Sequence, residues 1–382
     1  MEVKIKTLTP LWTGGVETGK CDRIHETGIL GSLRWWMEVL VRGMGGNACD
    51  PTEQKCSAKN GLCEVCKIFG AEGQKRRFRL EIQDSQVANA TIQHPIRASR
   101  TYTNKEGKQK TPTWYFPDPT QQDVRPQPAN TPKTGTFTLK IQGLHPDFKP
   151  EVIGGLIQFI ADWSALGARP QMGFGVIQVE GGHIDTQPLY DWLITIPKSE
   201  SPDKDMPSLQ NIFLAKIQPK GANSLFKEED TFNLKYDLRQ LFRTERATTQ
   251  QQNQSNKPIT KKDRDSSDKK ENEEQKLRHF IMGIEKGDRQ AAKIKISRPY
   301  PSDNSKFMRV WGWIPEEAGA YKNDWNREKV VDVIHQHLAE KYTLLEWREM
   351  NSTRDTITPS ESEIQTFLCS LLEVHENSNA KS

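Results

Sequence analysis

Long apolar runs are absent from this chain of 382 residues, and no stretch approaches the roughly 20 residues that a membrane-spanning helix needs. The N-terminal MEVKIKTLTPLW has none of the apolar core of a secretory signal, so a cytoplasmic location and no membrane partner are expected. Cysteine is scarce at six, too few for a disulfide scaffold. Apolar residues of every kind make up only 34% and mean hydropathy is −0.76, low enough that part of the length should lie outside any packed core. Net charge is also small, 54 basic residues against 50 acidic ones, and by itself names no partner. What remains is a soluble chain long enough for two or three domains with full cores.

The charge is unevenly placed. Between Lys67 and Lys110 stand ten basic residues, Lys67, Lys75, Arg76, Arg77, Arg79, Arg97, Arg100, Lys105, Lys108 and Lys110, against four acidic ones. Such runs often form nothing more than a solvated surface. Here Tyr102, Trp114, Tyr115 and Phe116 lie within or just beyond the run, and cations interleaved with aromatics suit single-stranded nucleic acid, whose bases can stack.

Cysteine is clustered as Cys49-x6-Cys56-x6-Cys63-x2-Cys66. In a reducing compartment four such thiols point to a closed tetrahedral zinc site, with Cys63-Glu-Val-Cys66 as its knuckle, although the x6 gaps are wider than the common spacing. The alternative is four unliganded thiols. Cys21 and Cys369 stand alone and read as buried apolar residues.

Period-two and helical patterns alternate along the first half. Val3 and Ile5 mark a strand, Leu30–Val41 a helix with Gly43 as its C-cap, and Phe78, Leu80 and Ile82 a second strand. Phe137, Leu139 and Ile141 mark a third strand, Pro150 to Trp163 a second helix, and Phe174, Val176 and Val179 a fourth strand. The order β-α-β-β-α-β is that of a ferredoxin-like fold, RRM-like in its α+β architecture. After a polar linker at Pro197–Pro207 the order repeats. The strands are Ile212–Gln218, Lys293–Ser297, Arg309–Ile314 and Tyr342–Met350, and the helices Phe232–Arg243 and Asp324–Ala339. Lys67-Ile-Phe-Gly-Ala-Glu-Gly parallels Ile281-Met-Gly-Ile-Glu-Lys-Gly, which supports a duplication. The expected domains are 1–196, with a cysteine-rich insertion at 43–76 and a long insertion at 90–135, and 208–373. Residues 248–276 and 374–382 are too polar to fold alone and are expected to be disordered.

Two motifs carry chemistry. In Gly167-Ala-Arg-Pro-Gln-Met-Gly-Phe-Gly175 three glycines let the backbone approach a ligand, so that amides can face phosphate, and Arg169 adds a bidentate donor. A helix cap and tight turn would explain Gly167 alone. In Arg23-Ile-His-Glu-Thr-Gly-Ile-Leu-Gly-Ser-Leu-Arg-Trp-Trp36, Thr27, Gly28 and Ser32 lie at a helix start, Arg34 can reach a phosphate, and Trp35 and Trp36 either stack on a ligand or fill core.

Taken in order, GSLRWW, Cys63-x2-Cys66 with Ile68-Phe69-Gly70, the basic strand and the G-x-R…G-F-G loop resemble the RAMP proteins of CRISPR systems, in particular the subunit-one family of the type III-B (Cmr) effector complex. The resemblance is strong over residues 1–185 and weak beyond, where no glycine loop is recognisable. It implies two tandem ferredoxin-like RAMP domains and a non-catalytic subunit contacting the 3′ region of CRISPR RNA, target RNA, or both, beside other Cmr RAMP subunits. By this resemblance His25, Ser32, Arg34, Gly167, Arg169, Gly173 and Gly175 become RNA-contact candidates, and Ile92–Gly135 corresponds to a thumb-like hairpin. Two other readings stand beside it. One is a metal-independent RAMP endoribonuclease that processes guide precursors with His25, or more distantly His94, as general acid–base. The other is a zinc-organised scaffold with protein partners only, in which reversing Arg76, Arg77, Arg97 and Arg100 would leave RNA retention unchanged.

Overall fold

The computed structural model of the chain describes residues 1–16, 21–50, 56–90, 92, 96–103, 107–114, 132–200, 205–221, 224–242, 276–284, 290–302, 305–322 and 324–374. His94, Lys105, Tyr115, Phe116, the side chain of Trp114 and both expected disordered segments, apart from Lys276 and Val374, lie outside the described residues.

The first half runs β1 (Glu2–Thr7), α1 (Glu26–Gly43), α2 (Glu64–Phe69), β2 (Phe78–Asn89), then the short strands β3 (Ile96–Arg97), β4 (Tyr102–Thr103), β5 (Gln109–Lys110) and β6 (Thr113–Trp114). It continues with β7 (Lys133–Gly143), α3 (Glu151–Trp163), β8 (Ile177–Glu180) and α4 (Gln187–Ile194). The second half runs β9 (Ile212–Pro219), α5 (Asp230–Leu241), α6 (276–282), β10 (Ile294–Ile296), β11 (Tyr300–Ser302), β12 (Ser305–Trp313), α7 (Arg327–Lys341), β13 (Tyr342–Arg348) and α8 (Ile364–Leu372). The main sheets are antiparallel, ordered β2-β7-β1-β8 and β10-β12-β9-β13, with β11 on β12. In both, the strands lie second, third, first, fourth. Among the described residues no helix is long and apolar enough to cross a membrane.

Period two in β1 is the signature of a one-sided sheet. Val3 and Ile5 enter the core below, while Glu2, Lys4 and Lys6 face out. The open face neutralises itself through Lys4–Glu180 at 3.2 Å, Lys140–Glu2 at 3.0 Å and Arg79–Glu81 at 2.7 Å. It offers no aromatic ring for stacking among its described residues.

The second sheet has no open face. Phe213, Ala215 and Ile217 of β9 pack with Leu234, Leu238, Val330 and Ile334 of α5 and α7. The alternate residues Ile212 and Leu214, with Trp311, join the core of the first half. Arg309 of β12 donates to Ile160 O, Ala161 O and Ser164 O at the C-terminal end of α3, and Lys216 lies 4.2 Å from the Trp163 ring centroid. Helix α8 also seats on the first half, where Trp163 Nε1 donates to Leu371 O. Neither sheet therefore presents the aromatic platform on which RRM-type domains stack bases.

The sequence parallel is the same local structure built twice. Gly70 N donates to Cys66 O and Gly283 N to His279 O, both glycines at positive φ after a helix. A two-way backbone bridge follows each, Ala71 with Gln74 and Ile284 with Gln290, and the next strands return through Arg77 N to Ile68 O and Lys293 N to Ile281 O.

Three expectations need correction. Gly43 is the last helical residue and not the cap, and a Cβ there would lie 2.6 Å from Leu209 Cβ, so close packing is what requires glycine. Phe174 and Val176 precede β8, where Val176 O accepts both Leu8 N and Thr9 N. Helices α2, α4, α6 and α8 were not anticipated.

Candidate nucleic-acid interface

The glycine-rich loop is where the two halves meet. Gly167 N donates to Ser32 Oγ at 2.9 Å, Gly175 N to Pro10 O at 2.9 Å and Gly173 N to Pro170 O at 3.0 Å. Those three amides are held by protein acceptors, which corrects the expectation that they face phosphate. The glycines are needed because the chain approaches itself: a Cβ would lie 2.6 Å from Trp12 O at Gly167, 2.6 Å from Arg298 N at Gly173 and 2.0 Å from Leu166 O at Gly175. Gly175→Ala, at φ +90°, should therefore cost about 1–3 kcal/mol, read as a lowered denaturant midpoint. Arg169, itself left-handed at φ 58°, lays its guanidinium 4.0 Å from the Trp12 ring centroid. Burial pulls Arg169 below the ordinary arginine range.

Other predicted residues divide into those held by the protein and those turned outward. Ser32 is the acceptor for Gly167 and donates to Ile29 O. Every Arg34 nitrogen is directed at protein groups, so the expectation of a phosphate contact is corrected. Arg100 forms a bidentate pair with Asp237 of α5 at 2.9 and 2.7 Å and so anchors the base of its hairpin to the second half, again a correction. Arg76 donates to Phe78 O, and Arg77 is half-buried with Nε lacking an acceptor. Lys75, Arg97, Lys108 and Lys110 are exposed. The last three belong to a hairpin in which β3 pairs with β6 and β4 with β5, and Tyr102 on it is 41% exposed. Its base is fixed where Ile96 packs with Phe174 and Phe232. His25, at the N-terminus of α1, stands 2.7 Å from Asp22 through Nε2.

A second cationic group stands outside the basic run. Lys235 of α5 donates to Gln171 O inside the glycine-rich loop. Lys295 of β10 lies 5.8 Å from the ring centroid of Trp35 on α1, while Lys293 lies 3.7 Å from Phe280 and 4.9 Å from Trp313. Burial, then the neighbouring Arg239, pushes Lys235 down to about 8. Burial pushes Lys293 to about 8, and burial with Lys293 pushes Lys295 to about 7. His279 is lowered by burial and then by Arg278 and Arg239. Among the described residues, what shifts these four groups is desolvation and other cations. A polyanion relieves such a concentration of charge. Trp36 is core at 2% exposed, whereas half-buried Trp35 borders the cluster.

Beside α1, the sulfur atoms of Cys49, Cys56, Cys63 and Cys66 lie within 4.8 Å of one another. Helix α2 positions two of them: Cys63 is its N-cap, and Cys66 N donates to Cys63 Sγ at 3.4 Å. Burial raises Cys66 to about 11, whereas amide donors from Cys49 and Cys66 outweigh burial and lower Cys63. Four converging soft donors fit a tetrahedral zinc ion. Cys21 and Cys369 are buried away from the cluster.

A family model described as RAMPs, the RAMP superfamily, matches residues 4–178. No curated protein matches the chain. Among solved structures, Cmr1 from Pyrococcus furiosus in its apo form is 12% identical, with 90% of this chain and 93% of that one covered and a TM-score of 0.40. Two cryo-EM structures of the type III-B Cmr-beta bound to cognate target RNA, one of them also with AMPPnP in the presence of ssDNA, are each 12% identical. They cover 89% of this chain and 98% of theirs, at TM-scores of 0.44 and 0.42. The family match runs from β1 into β8, across α1, the cysteine cluster, the hairpin and the glycine-rich loop, and over residues 4–178 the chain is similar to the RAMP superfamily.

Proposed function

We propose that the chain is a non-catalytic RNA-binding subunit of a type III-B (Cmr) CRISPR effector complex in the cytoplasm. It is built of two tandem ferredoxin-like domains, 1–196 and 208–373, and carries a structural zinc. Its RNA would be the 3′ region of CRISPR RNA, target RNA, or both, and other Cmr subunits would flank it. The observation that carries the reading is a group of cations outside the basic run, Lys235 bonded to Gln171 O of the glycine-rich loop, Lys293 just before β10 and Lys295 on it, with Lys295 5.8 Å from the Trp35 ring centroid. The exposed Arg97, Lys108 and Lys110 extend it along the hairpin, on a chain whose residues 4–178 match the RAMP superfamily model. Such a surface grips phosphates without reading sequence, which the guide would supply by base pairing.

The nuclease reading keeps one observation in its favour: Asp22 beside His25 could orient the imidazole as a general acid–base. Incubating the protein with labelled repeat RNA separates the readings. Retention of intact RNA is expected, and cleavage abolished by His25→Ala would overturn the proposal.

Cys49, Cys56, Cys63 and Cys66 would hold the zinc, which supplies folding energy and no chemistry. Native mass spectrometry should find about one metal ion per chain. Cys63→Ser should lose it and lower the melting temperature, whereas a metal-free wild type of equal stability would refute the site.

A further inference from the structure

Arg34, Glu38 and Arg42 follow one another at four-residue spacing along the face of α1 that supports the cysteine cluster. Arg34 donates from one terminal nitrogen to Cys66 Sγ at 3.0 Å, with Cys49 Sγ at 3.8 Å, and from the other to Gly70 O at 3.2 Å. Its Nε donates to Glu38 Oε1 at 2.9 Å. Arg42 stands 3.8 Å from Glu38 and donates to Ala48 O, Cys49 O and Pro207 O. Glu38 and Arg42 are each 5% exposed. A guanidinium held against sulfur is costly unless its charge is answered, and four thiolates around a divalent ion, with two negative charges in excess, answer that of Arg34. The same helix holds Gly167 through Ser32, half a turn from Arg34.

We infer that Arg34 is the outer-sphere partner of the metal centre, and that through it metal occupancy fixes α1 and the glycine-rich loop that α1 holds. This rests on the zinc reading above. Hydrogen bonds to two thiolates draw charge off the sulfurs and fix their orientation, as outer-sphere partners do in metal sites, where losing one typically costs roughly 10–100-fold in metal affinity. Arg34 is thus a positioning residue that links a structural metal to the proposed RNA surface.

The test uses the full chain with Arg34→Met, which keeps the apolar stem and removes the charge, and Arg34→Lys, which keeps the charge and loses the fork. Zinc competition against a chromophoric chelator should show Arg34→Met weaker by roughly 10–100-fold, with Arg34→Lys between it and wild type. In the cobalt-substituted protein the thiolate-to-metal charge-transfer band should shift in Arg34→Met, a change that loss of packing alone does not produce. Hydrogen exchange over residues 166–175 should rise when zinc is chelated from wild type and stand raised in Arg34→Met with zinc bound. Wild-type zinc affinity and an unshifted band in Arg34→Met would overturn the role of Arg34. Unchanged exchange on chelation would overturn the coupling, and a wild type that binds no zinc would overturn the metal reading itself. Where Arg34→Met does not fold, the band and affinity of Arg34→Lys against wild type decide.

Discussion

Asp355→Ala should lower stability by about 3–5 kcal/mol, because it strands a buried arginine. The side chains of Arg348 and Asp355 are both fully buried and meet at 3.0 Å. Asp355 also accepts amides from Glu349, Ile357 and Thr358, so although burial works against it, its carboxyl stays below the usual carboxylate range. Arg348 reaches Ser370 of α8, and its guanidinium lies 5.6 Å from the Trp163 ring centroid on α3. The pair therefore ties the end of the second sheet to helices α8 and α3. Arg348→Met should be milder, since Asp355 keeps its three amide donors. Denaturant unfolding with an unchanged slope would read both, and equal losses would show that the amides do not hold the carboxylate.

RNA affinity should fall about tenfold or more between pH 6.5 and 8.5, because a lysine held near 7 must take up a proton to meet a phosphate above that pH. Lys295 leads, at about 7, with Lys235 and Lys293 at about 8. Stability should move the opposite way. These lysines bind their protons less tightly folded than unfolded, where the ordinary value is 10.5, so the folded state gains as pH rises from about 7 toward that value. Lys295→Gln should flatten both trends. A pH-independent affinity, or affinity and stability rising together, would remove these lysines from the interface.

Much of the fold was legible because the first sheet has one open polar face, which leaves a period-two trace in Val3 and Ile5 or Phe137 and Leu139. The second half kept the trace more loosely because its sheet is covered on both sides, so Ile212 and Phe213 are both buried. Helices α4 and α8 were missed since each packs mainly on other helices across the chain, as Leu371 O does on Trp163. The cysteine cluster was readable from spacing alone. The glycine-rich loop was recognised for its glycines, yet their reason proved to be contact between the halves, visible only once Arg298 lies against Gly173. The helix-start motif found Arg34 and charge counting Arg100, but neither showed that Cys66 and Asp237 engage them. Lys235, Lys293 and Lys295 belong to no run at all, and only the fold brings Lys235 to the loop and Lys295 to Trp35.

The most direct measurement is the salt dependence of single-stranded RNA binding at pH 6.5, for wild type and for the triple variant Lys235→Gln, Lys293→Gln, Lys295→Gln. With about 0.7 counterions released per phosphate on a single strand, losing three contacts should make the slope of log affinity against log salt shallower by about 2, with weaker binding throughout. A folded triple variant that keeps the wild-type slope and affinity would contradict the account.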